Sequence, residues 1–120
     1  MVKLIDVKKE IYQKLNEIKE AKVVYFFPDE FNELPIISYY EIENSDSGYC
    51  GREVLSDISY QIDVWGRGNI SKLCIEVDKK MAELGFRRSF GQDLSKDGIA
   101  RRTLRYSARI NNKTGYVYKK

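Results

Sequence analysis

A chain of 120 residues with 42% apolar and 32% charged residues and a net charge of +3 fits one domain, large enough to bury a core without disulfides or metals. It contains no histidine, which excludes zinc sites of the usual kind and His-based general acid–base catalysis. Its two cysteines, Cys50 and Cys74, can form at most one bridge and stand in no C-x-x-C spacing.

The N-terminal MVKLIDVKKE has no apolar leader core, and no stretch approaches the roughly 18 apolar residues of a membrane span. The expectation is a protein made and kept in a reducing cytoplasm, with no membrane partner. Leu4, Val7, Ile11, Leu15 and Ile18 recur at steps of three and four and predict a helix over Lys3 to Glu20. Val23 to Phe27, β-branched and aromatic and stopped by Pro28, predicts a buried strand. A proline-bracketed loop, Pro28 to Pro35, leads into a second strand over Ile36 to Glu43.

Asn44 to Arg52 is rich in Gly, Ser, Asn and Asp and predicts a flexible loop. Leu55 to Trp65 alternates strongly, with Ile58, Tyr60, Ile62 and Val64 on one face and Ser59, Gln61, Asp63 and Trp65 on the other. Gly66-Arg67-Gly68-Asn69 breaks that strand, and Asn69 or Ser71 caps a second helix running to Leu84, stopped by Gly85. Phe86 to Leu94 predicts a strand weakened by Gly91, and Ile99 to Ile110 a long last one. The tail, Asn111 to Lys120, is loose, with Gly115 to Tyr118 able to add a short edge strand.

Short links predict an antiparallel meander of the first three strands and a hairpin of the last two. The fold class is therefore α+β, in the order α-β-β-β-α-β-β. It has a single mixed, mostly antiparallel sheet of four to five strands, with two amphipathic helices packed on one face.

Three acids on predicted strands, Glu41, Glu43 and Asp63, could belong to a metal-dependent nuclease. Such sites need a Lys two residues after the second acid, and Trp65 and Glu43 occupy those positions. Gly66-Arg67-Gly68 lacks the third glycine and the Lys-Ser/Thr of a phosphate loop. Cys74 falls on an apolar helix stripe and Cys50 in a polar loop with no neighbouring base. The reading is of no enzyme, with no catalytic residue, cofactor or metal.

Charge is unevenly spread. Met1 to Gly85 carries eleven Lys/Arg against sixteen Asp/Glu, whereas Phe86 to Lys120 carries ten against two. On the last strand Arg101, Arg105 and Arg109 alternate onto the face opposite Leu104, Tyr106, Ala108 and Ile110. They form either a basic strip for an acidic partner or nucleic-acid backbone, or a ladder of pairs to Glu41, Glu43 or Asp63. Candidate interface residues are Arg87, Arg88, Arg101, Arg105 and Arg109, together with Ser47, Gly48 and Tyr49 of the loop.

The pattern resembles the small tail-completion or tail-terminator proteins of long-tailed phages and prophages, the group containing lambda minor tail protein U. It lies in an amphipathic first helix, VVYFFPDEFNELPIISYYE, SYQIDVWGRGN, the helix IEVDKKMAELGFRR and the last strand IARRTLRYSARI, in order along nearly the whole chain. The resemblance implies a non-enzymatic homo-oligomeric ring, usually sixfold, that closes the head-proximal end of the tail tube. It implies as partners the chain itself, the tail-tube protein and the head connector, with assembly in the host cytoplasm and residence in the virion tail. Whether such a protein ends a tail, joins a head or belongs to a headless particle is left open. The rival reading is a small basic nucleic-acid-binding domain, for which DNA is the partner.

Overall fold

A computed structural model describes residues 2–50 and 53–119 and has six strands in one mixed sheet. In chain order the elements are α1 (Val7–Leu15), β1 (Lys22–Tyr25), β2 (Ile36–Cys50), β3 (Glu53–Gly66), α2 (Ser71–Glu83), β4 (Arg87–Asp93), β5 (Ala100–Asn111) and β6 (Val117–Lys119). The sheet order is β1-β2-β3-β5-β4, with β6 also pairing β5. The expected α+β class holds. The sheet has one strand more than expected, because the tail does pair with β5.

The alternation of β3 was the most legible feature, and it organises everything else. Ile62 lies between Tyr39 and Leu104, and Tyr60 opposite Tyr106, so the apolar residues of β2, β3 and β5 share one face. Both helices lie on that face. Ile11 and Leu15 of α1 and Val77 and Met81 of α2 join Ile37, Ile62, Leu104 and Tyr106 in one buried cluster. Each such side chain contributes about 1.5–3 kcal/mol by leaving water. Fourteen residues of β3 at about 3.3 Å each account for most of the 52 Å long axis.

Helix α1 is shorter than its periodicity predicts. The Asp6 carboxylate accepts from the Lys9 N–H at 3.2 Å, while Glu10 Oε2 accepts from the N–H groups of Ile5 and Asp6. This reciprocal cap fixes the helix start. Leu4 and Ile18 reach the same core from non-helical backbone, with the Leu4 N–H donating to the Gly115 carbonyl. The end of α2 follows expectation. Gly85, at φ 89°, donates to Ala82 while Phe86 donates to Met81, a Schellman closure.

Two expectations are corrected. The first three strands are not an antiparallel meander, because β1 pairs with β2 in parallel, Lys22 opposite Ile36. Residues 26–35, ten in number, are long enough to carry the chain back alongside itself, which a two-residue hairpin turn cannot do. Nor is Asn44 to Arg52 a loop. Its residues to Cys50 continue β2 and pair with β3, with ladder irregularities between Glu41 and Glu43 and between Asp46 and Gly48. The partner strand satisfies backbone groups that the local turn-forming composition would otherwise leave to water. Gly51 and Arg52 lie outside the described residues.

Candidate functional site

The face of the sheet opposite the helices is built from polar rows. Ser38, Asp63 and Thr103 lie side by side on β2, β3 and β5, as do Glu43, Ser59 and Ser107. Although no helix covers them, Asp63 is fully buried and Ser59, Gln61, Thr103 and Ser107 are buried too. Asp63 accepts from Gln61 Nε2 at 3.1 Å, from Thr103 Oγ1 and from Arg101 Nε at 3.4 Å. Ser59 and Ser107 share a 2.8 Å hydrogen bond, and Trp65 Nε1 donates to Ser38 Oγ at 2.9 Å.

This arrangement divides the arginine strip. Arg101 is tied to Asp63 and lies 4.5 Å from the Trp65 ring centroid. Arg109 donates from Nε to Asp57 Oδ1 at 3.0 Å. For these two the strip is a set of intrasheet pairs. Asp63 had been weighed as a partner and Asp57 had not, because register is invisible before folding. Arg105 differs. Its guanidinium lies over the Phe90 ring at 5.0 Å, and no described carboxylate stands within ion-pair distance of it.

Arg87 and Arg88 lie on β4, every residue of which is exposed. Arg88 donates to Asp78 Oδ2 at 2.8 Å, and Asp78 also accepts from the Tyr106 hydroxyl, tying α2 to β4 and β5. Burial first, and then the hydrogen bond to Asp78, push the Tyr106 phenol above its ordinary range. Arg87, Arg88, Ser89 and Ser107 line an open cleft of about 340 Å³. Gly48 and Tyr49 stand opposite Leu55 and Val54 near the end of the β2–β3 hairpin, so the proposed loop residues are strand residues. The side chains of Ser47 and Tyr49 lie outside the described residues.

The nuclease candidates do not converge. Asp63 faces only donors, whereas Glu43 accepts from Ser45 and Ser59 and Glu41 from Asn44. Among the described residues, no group of three or more cysteine, aspartate or glutamate side chains is disposed to hold a metal ion. Burial pushes the Cys74 thiol up, away from the reactive thiolate. No described helix is long and apolar enough to cross a membrane.

An aromatic surface escaped the sequence reading. Val23 to Phe27 was expected to be a buried strand, but of its residues Val23 alone is buried, while Tyr25, Phe26 and Phe27 are exposed. Phe26 stands at φ 74°, a left-handed conformation that bulky residues seldom adopt, and it turns the chain out of β1. Its ring lies 5.1 Å from Tyr40 and 5.2 Å from Phe27. The available signal was three aromatics in succession. A strand sends neighbours to opposite faces, so they could not all enter one core. No family model and no curated protein sequence matches the chain.

Proposed function

We propose that this chain is a non-enzymatic structural protein of a phage or prophage tail, one that forms an oligomeric ring capping the tail tube and joining it to the head connector. The observation that carries the reading is the polarity of the sheet. Its β1–β2 end and its β4 end lie at opposite edges, and the basic C-terminal part of the chain supplies the latter. A closed ring is built from unlike patches meeting around an axis, and a protomer with unlike ends suits that geometry. Arg105, uncommitted to any carboxylate of its own sheet, is the basic residue best placed to reach a neighbour.

The test is addition of the purified protein to polymerising tail-tube subunits, viewed by negative-stain microscopy. Wild-type protein should end tube growth and add a terminal ring. Arg105→Glu should keep the wild-type circular dichroism yet fail to form the ring. High salt should weaken the wild-type ring, since exposed pairs are screened over about 8–10 Å at ordinary ionic strength. A protein that neither caps tubes nor associates with itself would sink the reading.

The second reading, a nucleic-acid-binding domain, draws on the Arg87–Arg88 cleft beside Ser89 and Ser107. It requires DNA affinity that falls steeply with salt. A flat binding curve in a salt titration would dispose of it.

A further inference from the structure

We propose that the aromatic patch at the β1 edge receives the basic β4 edge of a second copy of this chain, so that successive sheets join head to tail. This rests on the oligomeric reading above and names the contact that reading requires.

The patch has the marks of an interface. Phe26 is 54% exposed, Tyr25 42% and Phe27 39%, and the three follow one another in the chain. The rings are already packed together, with Phe27 and Tyr40 at 5.4 Å and Phe26 and Phe27 edge to face. Clustered exposed aromatics of this kind are enriched where proteins meet. Phe26 is held at a strained φ to present its ring outward, although nothing within the described chain covers it.

The occupant is identified by charge and by the opposite edge. Residues 25–43 carry five carboxylates and no basic residue, whereas residues 86–105 carry six Lys/Arg against two acids. The β4 end also offers apolar surface, with Phe90 and Leu94 exposed and Arg105 spread over the Phe90 ring. Two β1 edges meeting each other would set acids against acids, and two β4 edges arginines against arginines. The unlike contact alone matches both sign and apolarity. β1 and β4 are the two ends of the sheet order, and neither has a further strand beyond it among the described residues. Edge-to-edge pairing of β4 with β1 of the next copy would satisfy backbone groups on both.

The experiment uses two variants, each spoiled at one end. Phe26→Gly removes the ring at a φ that glycine tolerates, so the fold should survive; Phe27→Ser serves should Phe26→Gly unfold. Arg105→Glu spoils the β4 end, with Phe90→Ser as its second form. Sedimentation velocity at low ionic strength should show wild-type oligomers, and self-association at least tenfold weaker for each variant alone. Mixing Phe26→Gly with Arg105→Glu leaves one intact edge on each, so a 1:1 dimer should appear and nothing larger. Folded variants that oligomerise like wild type, or a mixture that stays monomeric while wild type associates, would overturn this contact and leave the ring reading standing. Wild-type protein that stays monomeric at every concentration would overturn the contact. Should it also fail to cap tail tubes, the ring reading would fall as well.

Discussion

Asp63 is the residue on which a structural and a catalytic account of this protein differ most sharply. Its carboxylate is fully buried and accepts from Gln61, Thr103 and Arg101. Asp63→Ala leaves Gln61 and Thr103 as buried donors without that acceptor. Each costs about 1–3 kcal/mol. Arg101, whose side chain is one-quarter exposed, can turn to water. Two effects offset part of the loss. A water can enter the polar space left behind, and the desolvation of the buried carboxylate is no longer incurred. The net expectation is a loss of about 3 kcal/mol.

Urea denaturation followed by circular dichroism would read that loss as a midpoint about 2 M lower, for an m-value near 1.5 kcal/mol/M that stays unchanged. The melting temperature should fall by about 10–15 °C. In a double-mutant cycle with Arg101→Ala, the combined loss should be smaller than the sum, because the two share one contact. Plasmid DNA incubated with the wild-type protein and Mg²⁺ or Mn²⁺ should stay intact. An Asp63→Ala variant as stable as wild type, or more so, would refute the reasoning. A buried acid whose removal stabilises is one held for chemistry.

Two further outcomes follow from the phenols. Tyr106→Phe keeps the ring in the core but strips Asp78 of one donor; as Asp78 is partly exposed, the cost should be about 1–2 kcal/mol in the same urea assay. Burial raises the phenol of Tyr39 to about 12, and those of Tyr60 and Tyr106 are raised as well. The unfolded chain releases these protons near pH 10, so their contribution is complete below that pH and is lost as pH rises through the folded values. Stability should fall from about pH 10 upward, and phenolate absorbance should show these three tyrosines ionising with unfolding rather than before it.

Much of the architecture is legible in the sequence because it depends on periodicity. The alternation from Leu55 to Trp65 and from Ile99 to Ile110 identifies β3, β5 and the apolar face they share. The stripe Leu73, Cys74, Val77, Met81, Leu84 and the stop at Gly85 identify α2. Periodicity reports which side chains face the core, not the backbone that brings them there. Leu4 and Ile18 therefore counted as helical although they pack from extended and turn conformations. Strand direction is decided by where a chain returns, so the parallel β1–β2 pair was hidden. Pairing also overrode composition in Asn44 to Cys50. Of the candidate arginines, Arg101 and Arg109 were drawn into their own sheet by Asp63 and Asp57, partners set by register.

The polar face bears on how the molecule would associate. A six-stranded sheet with helices on one side leaves its other face without a layer, and an apolar face of that size would adhere indiscriminately. Here Ser59, Gln61, Thr103 and Ser107 bond to one another and to neighbouring carboxylates. Long side chains flank these short ones, Arg101 by pairing with Asp63 and Arg109 by pairing with Asp57. Such a face meets its own hydrogen-bonding needs and has little to gain from a partner. The exposed large apolar groups fall largely outside it. Tyr25, Phe26 and Phe27 stand at the β1 edge and Phe90 and Leu94 around β4. An acidic surround on one edge and a basic one on the other then decide which edges can meet. Each exposed ion pair contributes only about 0–1 kcal/mol, so charge would select the register while the aromatic rings supply most of the adhesion. On this argument, reversing Arg105 should alter partner choice and salt dependence more than removing Phe26 does, and removing Phe26 should cost more affinity.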